Sequence, residues 1–139
     1  MITSLLALLS LQAAELPKLT LDQAMADPPL QEAIVDFFGE VGVMANLLGQ
    51  CERFLPEGEG DQFVATVLRQ NEMASQPEFQ VMLRSTFAQL YADGRVDPER
   101  HELTAGICER AMLATAKSIE AKGPLLANEL TAARRRLQN

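Results

Sequence analysis

Aromatic side chains are scarce in this chain, which has no tryptophan, one tyrosine (Tyr91) and six phenylalanines. A core of ordinary density must then be filled by Leu, Val, Ile, Met and Ala. Histidine occurs once, at His101, and cysteine twice, at Cys51 and Cys108. Those three soft ligands, without close spacing, do not make a structural zinc site, which takes four. Runs of Val, Ile, Thr and Tyr alternating with polar residues are missing. Their absence argues against a half-buried sheet. No apolar stretch approaches the ~20 residues that a membrane-spanning helix needs. Glycine-rich phosphate loops, nucleophile elbows and triad patterns are absent as well.

Cations are outnumbered: 12 Lys and Arg stand against 19 Asp and Glu, for a net charge of −7. That balance disfavours nucleic acid, whose affinity comes largely from Lys and Arg on phosphates. It equally disfavours an anionic membrane surface. The local exception is Arg134-Arg135-Arg136. In a last helical turn these cations complement the macrodipole. Their other reading is a docking site for an anionic partner.

What is abundant forms helices: Ala, Leu, Gln, Glu and Arg. At 139 residues one domain is expected. The chain reads as all-α, a single-domain bundle of about five helices over residues 15–139. Thr20 and Gln23 form a capping-box pattern that opens a short helix over about 21–26. Asp27-Pro28-Pro29 stops it. A long helix is expected from about Pro29 to Phe54, with Ile34, Phe37, Phe38, Val41, Met44, Leu48 and Cys51 as its stripe. Gly39, Gly42 and Gly49 interrupt it. They serve either the close approach of a neighbouring helix or a hinge or ligand-facing notch.

Pro56–Gly60 (PEGEG) reads as a loop, and Asp61 as the cap of a third helix over about 62–74. A fourth helix is expected over about 77–92, ended by Asp93-Gly94 with Gly94 at positive φ. Asp97-Pro98 should open a fifth that runs to about Lys122. Its small residues, among them Ala105, Gly106 and Ala111, suit the centre of a bundle. Gly123-Pro124 should end it, leaving a last helix over about 125–138.

Ile2–Leu11 (ITSLLALLSL) is followed by Gln12-Ala13-Ala14. That pattern suits a secretory signal over residues 1–14, although no Lys or Arg follows Met1. The alternative is an N-terminal helix packed on the domain. Leu5, Leu6, Leu8, Leu9 and Leu11 cover most of a helical wheel, which a surface helix would not do. No cysteine lies near the cut, so a lipid anchor is not expected.

Cys51 and Cys108 fall on the apolar stripes of the two longest expected helices. In an oxidising compartment such a pair reads as a disulfide. The alternative is two buried thiols acting as small hydrophobes. His101 precedes Cys108 by two helical turns, about 10 Å along an axis, too far to activate it. His101-Glu102 starts a zinc-peptidase-like pair, but Ala105 stands where the second histidine would be. Asp93, Asp97 and Glu99 around Gly94 resemble half a calcium loop. Gln89, Tyr91 and Arg100 then occupy positions that need oxygen donors. No catalytic residue, metal ligand or cofactor is expected.

The segments GEVGVMANLLGQC (Gly39–Cys51), CERA (Cys108–Ala111) and GPLLANEL (Gly123–Leu130) resemble small exported bacterial helical proteins with a cysteine pair. That resemblance implies compartment and architecture and no activity. YADGRVDPERHEL (Tyr91–Leu103) is similar to a helix–turn–helix segment of tellurite-resistance-type helical domains. The expected function is that of a periplasmic or secreted protein acting by binding, as a chaperone, assembly factor or inhibitor does. Its partner would be another protein or an envelope component. The alternatives are a cytosolic all-α regulatory or metal-stress module of the tellurite-resistance type, and an enzyme with a carboxylate-lined interhelical site.

Overall fold

The computed structural model describes residues 19–70 and 76–138. The expected signal over residues 1–14 lies outside them. The chain is all-α, with no strand among the described residues. Among the described residues five helices follow in order: α1 (Leu21–Ala26), α2 (Pro28–Gln50), α3 (Glu59–Gln70), α4 (Pro77–Val96) and α5 (Ala105–Gln138). Short 3₁₀ turns, Glu52–Phe54 and Pro98–Glu102, follow α2 and α4.

The capping box forms as the sequence predicts. Gln23 N donates to Thr20 Oγ1 at 3.1 Å and Thr20 N donates to Gln23 Oε1 at 3.0 Å. Asp27 then separates α1 from α2, and Pro28 opens α2, where a missing N–H costs nothing. The Asp27 side chain does not cap α2. Its carboxylate instead receives Arg136 of α5, with Nε to Oδ2 at 3.0 Å and Nη2 to Oδ1 at 3.0 Å. Of the three C-terminal arginines, Arg134 is buried, Arg135 is exposed and Arg136 makes this pair.

The centre of the bundle is α2, not the slim helix after residue 97. Its residues Ile34, Phe37, Val41, Met44 and Leu48 are all buried, at the three- and four-residue steps of the expected stripe. Helix α4 runs alongside in the same direction, with Phe38 against Phe79 at one end and Gly49 against Tyr91 and Arg95 at the other. Helix α5 runs the opposite way, placing Gly123 near Phe37, Lys122 near Glu40 and Cys108 on Cys51. Helix α3 bridges the two halves of the core. Val67 joins Ile34, Leu83 and Leu126, and Val64 joins Met44, Leu48 and Phe87.

Four expected boundaries move. Helix α2 ends at Gln50, and Glu52–Phe54 is a 3₁₀ turn. Helix α3 starts at Glu59, directly after Gly58 at φ +83, so Asp61 sits in its first turn rather than at its cap. Helix α4 runs on through Asp93-Gly94 to Val96, and Gly94 has no positive φ. Asp97 does cap, accepting from Glu99 N at 2.9 Å, but what it opens is the 3₁₀ turn Pro98–Glu102.

The largest difference is α5, which continues through Gly123-Pro124. Proline removes one helical hydrogen bond, here to the Glu120 carbonyl, and crowds the preceding turn. Burial on either side outweighs that loss. Ile119 packs on the core from before the proline, and Leu126, Leu130 and Ala133 are buried in it from after. Each fully buried leucine contributes about 1.5–3 kcal/mol. Glu120 and Pro124 themselves are exposed, so water is at hand for the freed carbonyl.

Candidate functional site

Two features stand out on this frame: a clamped end and an open groove. The clamp is where Cys51 and Cys108 meet, with Cα atoms 5.9 Å apart and both residues fully buried. Cys51 caps the C-terminus of α2 and Cys108 lies in the first turn of α5. The neighbouring residues tighten the same end. Arg53 Nη2 donates to the Leu103 carbonyl at 2.6 Å, and Arg95 pairs with Glu52 at 2.7 Å.

Next to the clamp, α2 and α4 touch backbone to backbone. A Cβ on Gly49 would collide with the Tyr91 carbonyl and lie 3.1 Å from Arg95 N. A Cβ on Gly94 would collide with the Asn46 carbonyl and lie 2.9 Å from Gln50 N. Only glycine fits at either position, and the reason is space rather than φ. A polar chain stitches the crossing. Gln50 Nε2 donates to Asn46 Oδ1 at 2.6 Å, and Asn46 Nδ2 donates to the Leu90 carbonyl at 3.2 Å.

Away from the crossing the two helices part and leave a groove of about 570 Å³. Its floor includes Ile34, Phe38, Phe79, Leu83 and Phe87, and its polar lining is limited to Asn46 and Thr86. Val43 and Met82 stand on opposite walls and keep 49% and 45% of their surface exposed. Gly39 lies on the rim with nothing within 4 Å of where its Cβ would be, and Gly42 meets only the tip of Leu90 at 3.1 Å. Val35, 58% exposed, continues the apolar surface along α2. A depression of the same volume between α3 and α5 is less apolar, lined in part by Thr66, Gln70, Glu120 and Thr131.

The other candidates stay apart. His101 is exposed on the 3₁₀ turn, so it does not share a helix with Cys108 as the sequence predicts. Asp93 accepts from Gln89 Nε2 at 2.9 Å and Asp97 caps its turn. Glu52, Glu57 and Glu59 line a smaller depression of about 300 Å³ with Tyr91. Burial, together with Glu52, raises the Tyr91 hydroxyl above its ordinary pKa. Among the described residues no group of three His, Cys, Asp or Glu side chains could hold a metal ion. Nor is any helix among them long and apolar enough to cross a membrane.

Of the glycines for which the sequence leaves close approach or a notch open, Gly49 admits a backbone, whereas Gly39 and Gly42 line the groove. Its signal in the sequence is the contrast between Gly39 and Gly49 on one helix, and only the position of α4 tells the two apart. No protein-family model, curated protein or solved structure matches the chain.

Proposed function

We propose that this chain is an exported, disulfide-stapled helical protein that acts by binding, with the α2/α4 groove as its contact surface. The observation that carries the reading is the groove itself. It is apolar, open along one side, and set beside an α2/α4 crossing held by backbone contact, next to the covalent bridge that joins α2 to α5. A site on rigid elements keeps its shape when empty, so little ordering cost opposes binding. The bridge supports an oxidising compartment, since such bonds persist there and are rare in the cytosol. Ile2–Leu11 supports the same route as a secretory signal.

Two measurements test this reading. Export is tested by the intact mass of protein from its native host, alkylated without prior reduction. Cleavage after Ala13 or Ala14 with both cysteines unmodified is expected. An uncleaved chain with both thiols alkylated would move the protein to the cytosol and bring the regulatory reading forward. The groove is tested with a solvatochromic dye and Gly39→Trp, which sets an indole into the space beside Val43. The wild type should bind the dye and the variant should not. Equal dye binding by both would remove the groove from the proposal.

A further inference from the structure

Charge around the groove narrows the chemistry of what it takes. Along α2, Glu32, Asp36, Gly39 and Val43 follow at three- and four-residue steps and form one exposed strip. Along α4, Glu78, Met82, Thr86, Gln89 and Asp93 do the same on the facing side. The two strips border the groove, as Gly39, Val43, Met82 and Thr86 line it. They carry four carboxylates and no Lys or Arg. The whole of α2 has no cation. The basic residues of α4, Arg84 and Arg95, lie on its other flank. They line a depression with Glu57 and Asp61, and Arg95 is held by Glu52. Across α2, Lys122 is engaged by Glu40 at 3.1 Å.

We infer that the groove receives an amphipathic helix of a protein partner, with an apolar face in the groove and Lys or Arg along its flanks. This rests on the groove reading above and adds the occupant. Shape and length agree. The stretch from Ile34 to Leu47 spans about 20 Å, which equals a helix of about 14 residues. Such a helix presents apolar anchors at i, i+4, i+7 and i+11 to a groove of this kind. Its flanking cations would meet Glu32, Asp36, Glu78 and Asp93 across solvent, which steers encounter and fixes orientation. Fatty acids and phospholipids fit less well. Their anionic heads would meet the carboxylates of both bordering strips, and neither strip carries a cation to receive them.

The test uses the oxidised full chain and two synthetic peptides of about 14 residues. Both carry leucines at helical a and d spacing; one has lysine elsewhere and the other glutamate. The Leu/Lys peptide should bind at least about tenfold more tightly than the Leu/Glu peptide. Gly39→Trp should weaken the Leu/Lys peptide about tenfold or more. Thr86→Trp, from the opposite wall, replaces it if that variant does not fold. Glu32→Gln with Asp36→Gln should weaken the same peptide about threefold at low salt, and the loss should shrink as salt is raised. Equal affinity for the two peptides, or Leu/Lys binding indifferent to the tryptophan variants, overturns the inference. If the dye is displaced by a neutral long-chain alcohol and by neither peptide, the groove stands and the helical occupant falls. If dye binding ignores Gly39→Trp, the groove reading itself falls.

Discussion

The two long seams of α2 are built on opposite plans. Against α5, the seam is pinned along its whole length. The disulfide closes one end, Lys122–Glu40 sits midway, and Arg136–Asp27 closes the other. Phe37, Leu126 and Leu130 fill the space between. Against α4, Phe38 packs on Phe79 at one end, and the backbones meet only at the other, where Gly49 and Gly94 admit the neighbouring helix. Beyond that point the helices leave about 570 Å³ unfilled. A seam pinned at both ends and midway serves stability. One that closes tightly at a single crossing holds a stable shape beside an unfilled surface. The same central helix does both because Gly42, Asn46 and Gly49 meet α4, while Phe37, Met44 and Leu48 turn toward α5 and α3.

Reduction of the disulfide should have the largest effect on this contrast, because it unpins the closed seam. The bridge spans 57 residues, for which loop closure in the unfolded chain is worth about 4 kcal/mol. The melting temperature of oxidised protein should fall by roughly 10–20 °C on reduction. No metal should be released. An equal melting temperature with and without reductant, on protein verified as oxidised at the start, would show that the bridge contributes nothing.

Gly94→Ala comes next and attacks the other seam where its backbones meet. The added methyl overlaps the Asn46 carbonyl, so the helices must separate. Overpacking of this kind costs about 1–3 kcal/mol and exceeds the ~1 kcal/mol that alanine gains in a helix interior. A net loss of up to about 2 kcal/mol is expected, or as much as roughly 8 °C in thermal unfolding. A more stable Gly94→Ala protein would mean that the crossing is not where the structure puts it.

Gly39→Ala is the same substitution on the open side, and its sign should reverse. Nothing lies within 4 Å of the new methyl, so only the helix-propensity gain of about 0.5–1 kcal/mol remains. Unfolding by urea should shift to a higher midpoint with an unchanged slope. Destabilisation at Gly39 would indicate that something covers the groove.

Much of this fold is legible locally. Helical spacing of Ile34, Phe37, Val41, Met44 and Leu48 marks the buried face of α2, and Thr20 with Gln23 marks the start of α1. The cysteines meet because both lie on apolar faces. Local rules fail where tertiary burial opposes them. Gly123-Pro124 is a helix terminator by composition, yet buried Leu126 and Leu130 carry α5 past it. Asp93-Gly94 has the composition of a helix end, yet Gly94 is there for the sake of Asn46 on another helix. The groove is the least legible feature. A glycine that admits a backbone and one that borders a cavity look alike in a sequence.

The smallest expected effect is at the far end of the closed seam, and it separates screened charge from hydrogen bonding. Arg136 and Asp27 make a two-pronged contact across 109 residues of chain, and Glu129 lies 3.5 Å from the same guanidinium. The arginine side chain is nearly half exposed, while that of Asp27 is mostly covered. Exposed ion pairs contribute little and are screened by salt. Arg136→Met keeps most of the aliphatic stem and removes the charge. Its thermal unfolding should begin slightly below that of the wild type at low salt and converge with it as salt is raised. A deficit that persists at high salt would mean that the hydrogen bonds to the mostly covered Asp27 carboxylate, rather than screened charge, hold this end. The closed seam would then be fastened at its last turn by a contact that salt does not loosen, and its contrast with the open one would be sharper still.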